Sequence, residues 1–249
     1  MSRDFAELLE NLPAETLPVE ARPPRKLDEK TLRWFELGLV LLIAFGSKIL
    51  QSISILVTGS TGSDGGPGYG WIYSAIEEAG CLLLLGYILY RRKMRFRDLG
   101  LRWSGRDVFR GLLVTAVAGF AYLASNYLLQ LLHHAAVHVS TGGATARQVF
   151  GHVPMMAIPL IILNPFFEDL IVRAYLMTEI KELTGSWALA AAASMAVQIS
   201  YHLYYGWVGA LALGGQFLVF SIYYARTKRA TPIIVAHGIF DVWGMAQLM

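Results

Sequence analysis

Seven apolar stretches follow one another along this chain, at roughly residues 32–57, 72–90, 107–132, 153–182, 187–205, 207–225 and 231–248. A bilayer core about 30 Å thick asks for some 20 consecutive apolar residues per helical crossing, and lipid offers no partner to an exposed peptide group. The expected fold is therefore all-α: a polytopic integral membrane bundle of about seven transmembrane helices, between six and eight. Composition agrees, since 55% of the residues are hydrophobic and only 16% charged, outside the range of soluble domains of this length. The fourth stretch is longer than a bilayer needs and reads as interrupted.

The net charge of +3 does not mark a nucleic-acid binder, because the cations cluster in short loops and no groove of interleaved basic and aromatic residues is apparent. The segments "RRKMRFRDLGLRWSGR" (91–106) and "ARTKRA" (225–230) are strongly basic, whereas "TGSTGSDGGPGYG" (58–70) and "YYG" (204–206) contain no Lys or Arg. That alternation implies a cytoplasmic N-terminus and, with seven spans, a C-terminus outside. Residues 1–30 form a charged, Pro-containing arm without the apolar core or cleavage site of a signal peptide, so the first span is expected to act as its own insertion signal. In the arm, Asp4 and Glu7 suit a helix N-terminus, and Phe5, Leu8, Leu9 and Leu12 recur at helical spacing. A short helix on the membrane surface and a tail without fixed structure both fit this pattern.

Three further features carry less chemistry. The Gly-rich loop 58–70 lacks the Lys-Ser/Thr ending and preceding strand of a phosphate cradle, and reads as an external loop. His134 and His138 stand one helical turn apart, but with no third ligand nearby they read as an interfacial pair rather than a metal site. "ALAAAASMA" (188–196) is a small-residue stripe of the kind that lets helix backbones approach closely. The single cysteine, Cys81, rules out a disulfide framework within the chain.

The polar residues inside the spans are more informative. A charge at the bilayer centre costs about 2.5–3.5 kcal/mol even on the most lenient scale, so such residues face the bundle interior and have partners. In "NPFFEDLIVRAYL" (164–176), Asp169 and Arg173 are four apart and stack on one helix face, while Glu168 lies about 100° round the helix. Gln198 and His202 on the fifth span, and His237 and Asp241 on the seventh, repeat the spacing of four. Asn164 and Glu168 share it too, and Pro165 suggests a kink or a helix restart with Asn164 as its cap. Glu168, His202, His237 and Asp241 together offer two carboxylates and two imidazoles, the groups needed to activate water by general base catalysis or through a bound metal.

These residues give the chain a resemblance to the CPBP (CAAX protease and bacteriocin-processing) intramembrane proteases, also called the Abi family, which include the CAAX prenyl endopeptidases. Glu168, Asp169 and Arg173 match the first motif, Glu-Glu-x-x-x-Arg, with Asp in second place. His202 matches the second, Phe-x-x-x-His, with Gln198 where Phe is usual, and His237 matches the third, His-x-x-x-Asn, with Asp241 replacing Asn. "FRDLGLRW" (96–103) is similar to the segment preceding the family's core, so a protease-like core is expected over 96–249 within a transmembrane domain of 31–249.

The resemblance implies peptide hydrolysis within the membrane: Glu168 and His202 activating water, His237 and the residue at 241 stabilising the oxyanion, and Arg173 neutralising Asp169. An ionised Asp241 cannot donate to an oxyanion. Either it is protonated, or it holds the His237 tautomer, or Gln198 supplies the missing amide as an oxyanion or supporting group beside Asn164. A fourth option is a zinc ion on Glu168, His202, His237 and Asp241. The implied partners are the bilayer and a membrane-embedded or lipidated peptide substrate, and the implied location is the cytoplasmic membrane of a bacterium or archaeon. The rival readings are a non-catalytic scaffold or immunity protein and a proton-coupled carrier. Against the carrier, the two halves of the chain show no internal repeat.

Overall fold

The structure, a computed structural model, describes residues 28–59, 69–135, 147–148, 153–246 and 248, and among these all regular structure is helical. The N-terminal arm up to residue 27, the external loop and the His134–His138 pair lie outside what is described of side chains. The chain divides into a short unit, Met1–Trp34, and a main unit, Phe35–Met249. In the first, Asp28 caps helix α1 (Glu29–Thr58), its carboxylate accepting from the Thr31 backbone N–H at 2.9 Å.

The main unit continues through α2 (Tyr69–Arg91) and α3 (Gly105–Ala135). A long fourth helix follows in three parts: α4 (Ile158–Glu168), a π-helical stretch (Asp169–Tyr175) and α5 (Leu176–Thr184). It ends at Gly185, whose φ of 78° only glycine adopts without strain. Then come α6 (Trp187–Tyr201), α7 (Gly206–Thr227) and α8 (Thr231–Ala246). These are the seven expected passes. Among the described residues four helices, Glu29–Thr58, Gly70–Arg91, Gly105–Leu132 and Leu203–Thr227, are long and apolar enough to cross a membrane by length and composition.

The outer surface is that of a protein solvated by lipid. On α1, Leu37, Val40, Ala44, Phe45, Ser52 and Ile55 face inward, while Leu42, Leu50 and Val57 on the other side are exposed. In water such a helix would be amphipathic; here both faces are apolar, as a hydrocarbon solvent requires. Because lipid supplies no hydrophobic drive for helix association, close backbone approach through small residues must hold the bundle. A Cβ at Gly215 of α7 would overlap the Ala121 carbonyl of α3, and one at Gly111 of α3 would come within 2.6 Å of Val235 on α8. α3 accordingly lies along both α7 and α8, α6 packs between α5 and α7, and α2 and α8 flank α4. The small-residue stripe of α6 turns Ala190 and Ser194 inward, and the next position on that face is Gln198.

At one end of the bundle the two basic loops are joined. The Ala230 N–H donates to Gly100 O at 3.1 Å, and the Arg102 N–H to the Thr231 hydroxyl at 2.9 Å. Gly100 has φ of 88°, and a Cβ there would overlap the Lys228 carbonyl oxygen. At the same end Arg92 bridges Glu36 of α1 and Glu179 of α5, the latter at 2.8 Å. We expect Gly100→Ala to destabilise the detergent-solubilised protein by about 2 kcal/mol or more, through left-handed strain plus the backbone clash. The thermal unfolding midpoint checks this, and an unchanged midpoint would show that the loops are not clamped there.

Candidate active site

The site is built on the fourth helix. Contrary to expectation, Asn164 caps no restart: the helix begins at Ile158 and runs through Pro165, and the buried Asn164 Oδ1 has no hydrogen-bond partner among the described residues. The irregularity comes one turn later, over Asp169–Tyr175, where the spacing widens to i→i+5, as in the bond from the Leu176 N–H to Ile171 O. Pro165 removes one ladder bond, but the packing of neighbouring helices holds the backbone through it. All seven π residues are buried, so this turn lies at the centre of the bundle. Single π turns often mark functional sites.

The Arg173 guanidinium is wholly buried. One terminal nitrogen donates to Asp169 Oδ1 and the other to Gln198 Oε1, and its plane lies 4.8 Å from the Phe220 ring centroid. The Gln198 amide then donates to the Tyr201 hydroxyl at 3.2 Å, and that hydroxyl donates to Glu168 Oε2. An unbroken relay thus runs Arg173 to Gln198 to Tyr201 to Glu168, tying the two ends of the first motif together through α6. Gln198 accepts at its oxygen and donates one of its two amide hydrogens, so its side chain is held in place within the site. A Phe at this position could make neither bond.

The second oxygen of Asp169 faces His237 Nδ1 at 3.2 Å. A carboxylate held by Arg173 accepts, so Nδ1 carries the proton and Nε2 points at Asp241 Oδ1, 3.5 Å away, and Glu168 Oε2, 3.8 Å away. Asp169 thus fixes the Nδ1 proton of His237, and Asp241 Oδ2 is buried with no hydrogen-bond partner among the described residues. His202 ends α6, and its Nδ1 lies 2.8 Å from the Gln198 carbonyl. A carbonyl only accepts, so Nδ1 is protonated and Nε2 keeps its lone pair. The His202 ring lies 4.5 Å from the Tyr201 ring, beside the phenol that holds Glu168. Both imidazoles thus have their orientation fixed from behind; His202 is left with a basic Nε2, whereas His237 Nε2 faces the carboxylates of Asp241 and Glu168.

Depth follows from helix geometry. His237 is six residues, about 9 Å, along α8 from Thr231, and Asp241 ten residues, about 15 Å. The site therefore lies about two to three turns into α8 from the end at which the basic loops meet.

The zinc option fails a donor test. Among the described residues no three His, Cys, Asp or Glu side chains are disposed to hold a metal ion.

Five residues that bear on the site were missed by sequence reasoning. Tyr201 reads as one more aromatic in an apolar helix, although it sits three residues from Gln198 and so on the same face. Lys48 and Glu78 are charges inside the first two spans, a signal plainly present in the sequence. They form an ion pair of 3.3 Å, and the Lys48 ammonium lies 5.4 Å from the Phe167 ring. Phe45 of α1 stacks on Tyr201 at 4.9 Å, and Ser52 accepts the Tyr204 N–H at 2.7 Å, bracing the turn after His202.

With this geometry in view, one comparison bears on identity. The protein-family model described as type II CAAX prenyl endopeptidase Rce1-like matches residues 150–243, the stretch from α4 into α8 that carries all three motifs. That stretch is similar to the Rce1-like family, in agreement with the CPBP resemblance, and the match supports a CAAX-type intramembrane endopeptidase in general terms. No curated protein and no solved structure matches the chain.

The relay yields a direct expectation. Gln198→Leu leaves a buried guanidinium nitrogen and the Tyr201 hydroxyl without their partner, so stability should fall by about 1–3 kcal/mol. Thermal unfolding in detergent measures it, and an unchanged midpoint would mean that the amide is not a structural link.

Proposed function

We propose that the protein is an intramembrane endopeptidase that hydrolyses a peptide bond of a lipidated, CAAX-type substrate, with Glu168 and His202 activating the water. The observation that carries this reading is the relay from Arg173 to Glu168, beside a His202 ring whose Nε2 is free. A carboxylate oriented by a phenol, next to an imidazole oriented by a carbonyl, forms a pair of bases held ready before substrate arrives.

In this mechanism water attacks the scissile carbonyl carbon and gives up a proton to Glu168, while His202 Nε2 orients the same water by accepting its other hydrogen. The C–N bond breaks as Glu168 returns the proton to the leaving amine. His237 works as an imidazolium, with Asp169 behind it at Nδ1 and Nε2–H turned from the Asp241 carboxylate toward the developing oxyanion. Asp241 then has no need to donate: it holds the Nε2 proton until the oxyanion forms. Arg173 neutralises Asp169, so that two adjacent carboxylates can coexist beside Glu168. The basic loops are taken to face the cytoplasm of a bacterial or archaeal cell, with the C-terminus outside.

Cleavage of a prenylated CAAX peptide by the detergent-purified protein tests the reading. Glu168→Gln and His202→Ala should each lower kcat about 10²–10⁴-fold. Arg173→Ala and Arg173→Lys should lose activity equally, because a point charge cannot serve Asp169 and Gln198 at once. Asp241→Asn, which restores the amide of the third motif, should raise the rate. Full activity in Arg173→Ala would remove the relay from the mechanism, and well-folded protein that cleaves nothing would favour the scaffold or carrier.

A further inference from the structure

Where the two basic loops meet, the main unit has a recess of about 640 Å³ lined by Arg102, Arg106, Arg110 and Arg229, with Ser104 and Asp107 among its other walls. It is separate from the candidate active site, which begins about 9 Å further along α8. Asp107 is almost completely buried. Its Oδ1 receives Arg229 at 2.7 Å and Arg110 at 3.1 Å, and its Oδ2 receives the Ser104 hydroxyl at 2.7 Å. This one carboxylate fixes two guanidinium groups in place and is saturated in doing so. Arg102 spends only its Nε, on the Arg97 carbonyl at 3.3 Å, and Arg106 is exposed and forms no ion pair among the described residues. Four guanidinium groups against one carboxylate leave three positive charges uncompensated in one concavity.

Immediately below the recess, α3 presents Val108, Phe109, Leu112 and Leu113 to the outside, all exposed large apolar side chains. Trp103 at its rim is exposed as well, as an aromatic at a membrane interface often is. A cationic concavity above an apolar stripe matches a molecule with an anionic head and hydrocarbon tails. Arginine forks suit phosphate oxygens, and basic pockets at this depth between helices are a recognised way of holding lipid head groups. A choline head would bring its own cation against the three spare charges, so a head group with net negative charge is favoured.

We propose that this recess binds the phosphate of an anionic phospholipid such as phosphatidylglycerol, whose acyl chains lie along the exposed face of α3. Free inorganic phosphate shares the head-group chemistry but leaves the apolar stripe unused.

The test is native mass spectrometry of the full-length protein in detergent with equal amounts of phosphatidylglycerol and phosphatidylcholine. The protein should retain phosphatidylglycerol preferentially. Arg106→Gln, which breaks no intramolecular bond recorded above, should weaken retention roughly fivefold, and Arg102→Gln with Arg106→Gln roughly thirtyfold. Arg95→Gln with Arg226→Gln, on the same loops but outside the recess, should retain it as the unaltered protein does. Equal retention of both lipids, or an equal loss in the control variant, would overturn the proposal in favour of a diffuse basic surface. Complete displacement by inorganic phosphate would overturn it in favour of a free-anion site.

Discussion

A guanidinium group with no solvent access dominates this structure. Removing an ion from water costs several kcal/mol even after relaxation, so Arg173 requires strong compensation, which among the described residues reaches both terminal nitrogens but not Nε. It obtains a carboxylate from its own helix, an amide oxygen from α6 and aromatic faces from α7. Each of those partners is thereby fixed, and each fixes something else. Asp169 orients His237 of α8, Gln198 orients Tyr201, and Tyr201 orients Glu168. Four helical elements are thus locked by one charge, and the same bonds that satisfy the charge aim the groups able to handle water. Stability and site geometry share one origin, so a variant at Arg173 disturbs both together.

The departures from the family's motifs gain a physical meaning in this frame. Gln198, where Phe is usual, is the link that a phenyl ring could not make. Asp169, one methylene shorter than Glu, still spans Arg173 on one oxygen and His237 on the other. Asp241 lies on the far side of His237 from Asp169, so the imidazole sits between two carboxylates. The substitutions form a connected polar set, in which each altered side chain bonds to or faces a motif residue.

The first two helices lie outside the family match, yet they contribute to the same place. Phe45 and Ser52 brace Tyr201 and the turn after His202, while Lys48, half-buried and paired with Glu78, sets its ammonium over Phe167. At the basic end the logic is electrostatic and superficial: Asp107 organises arginines that then have charge to spare. One end of the bundle is thus fitted to a charged membrane surface, while its middle is fitted to polar chemistry shielded from lipid.

The number and order of helices were legible in the sequence because span length is dictated by bilayer thickness, which acts on each segment independently. The pairs Asp169–Arg173 and His237–Asp241 were legible because a spacing of four defines a helix face. Pairings between helices were not. The Lys48–Glu78 bond joins residues 30 apart, and the bonds of Tyr201 and Gln198 to the fourth helix join residues 33 and 25 apart, distances on which local periodicity is silent. The π turn escaped notice because its residues suit an ordinary helix equally well, and Asn164–Pro165 misled because a proline kink and a proline carried through by packing look alike in one dimension. The sequence by itself determined which segments enter the membrane and which residues cannot face lipid, since both follow from transfer energies of single side chains. Which buried groups meet, and which acceptor each histidine nitrogen faces, was decided only by tertiary structure, because those depend on how neighbouring helices satisfy one another's unpaired polar atoms.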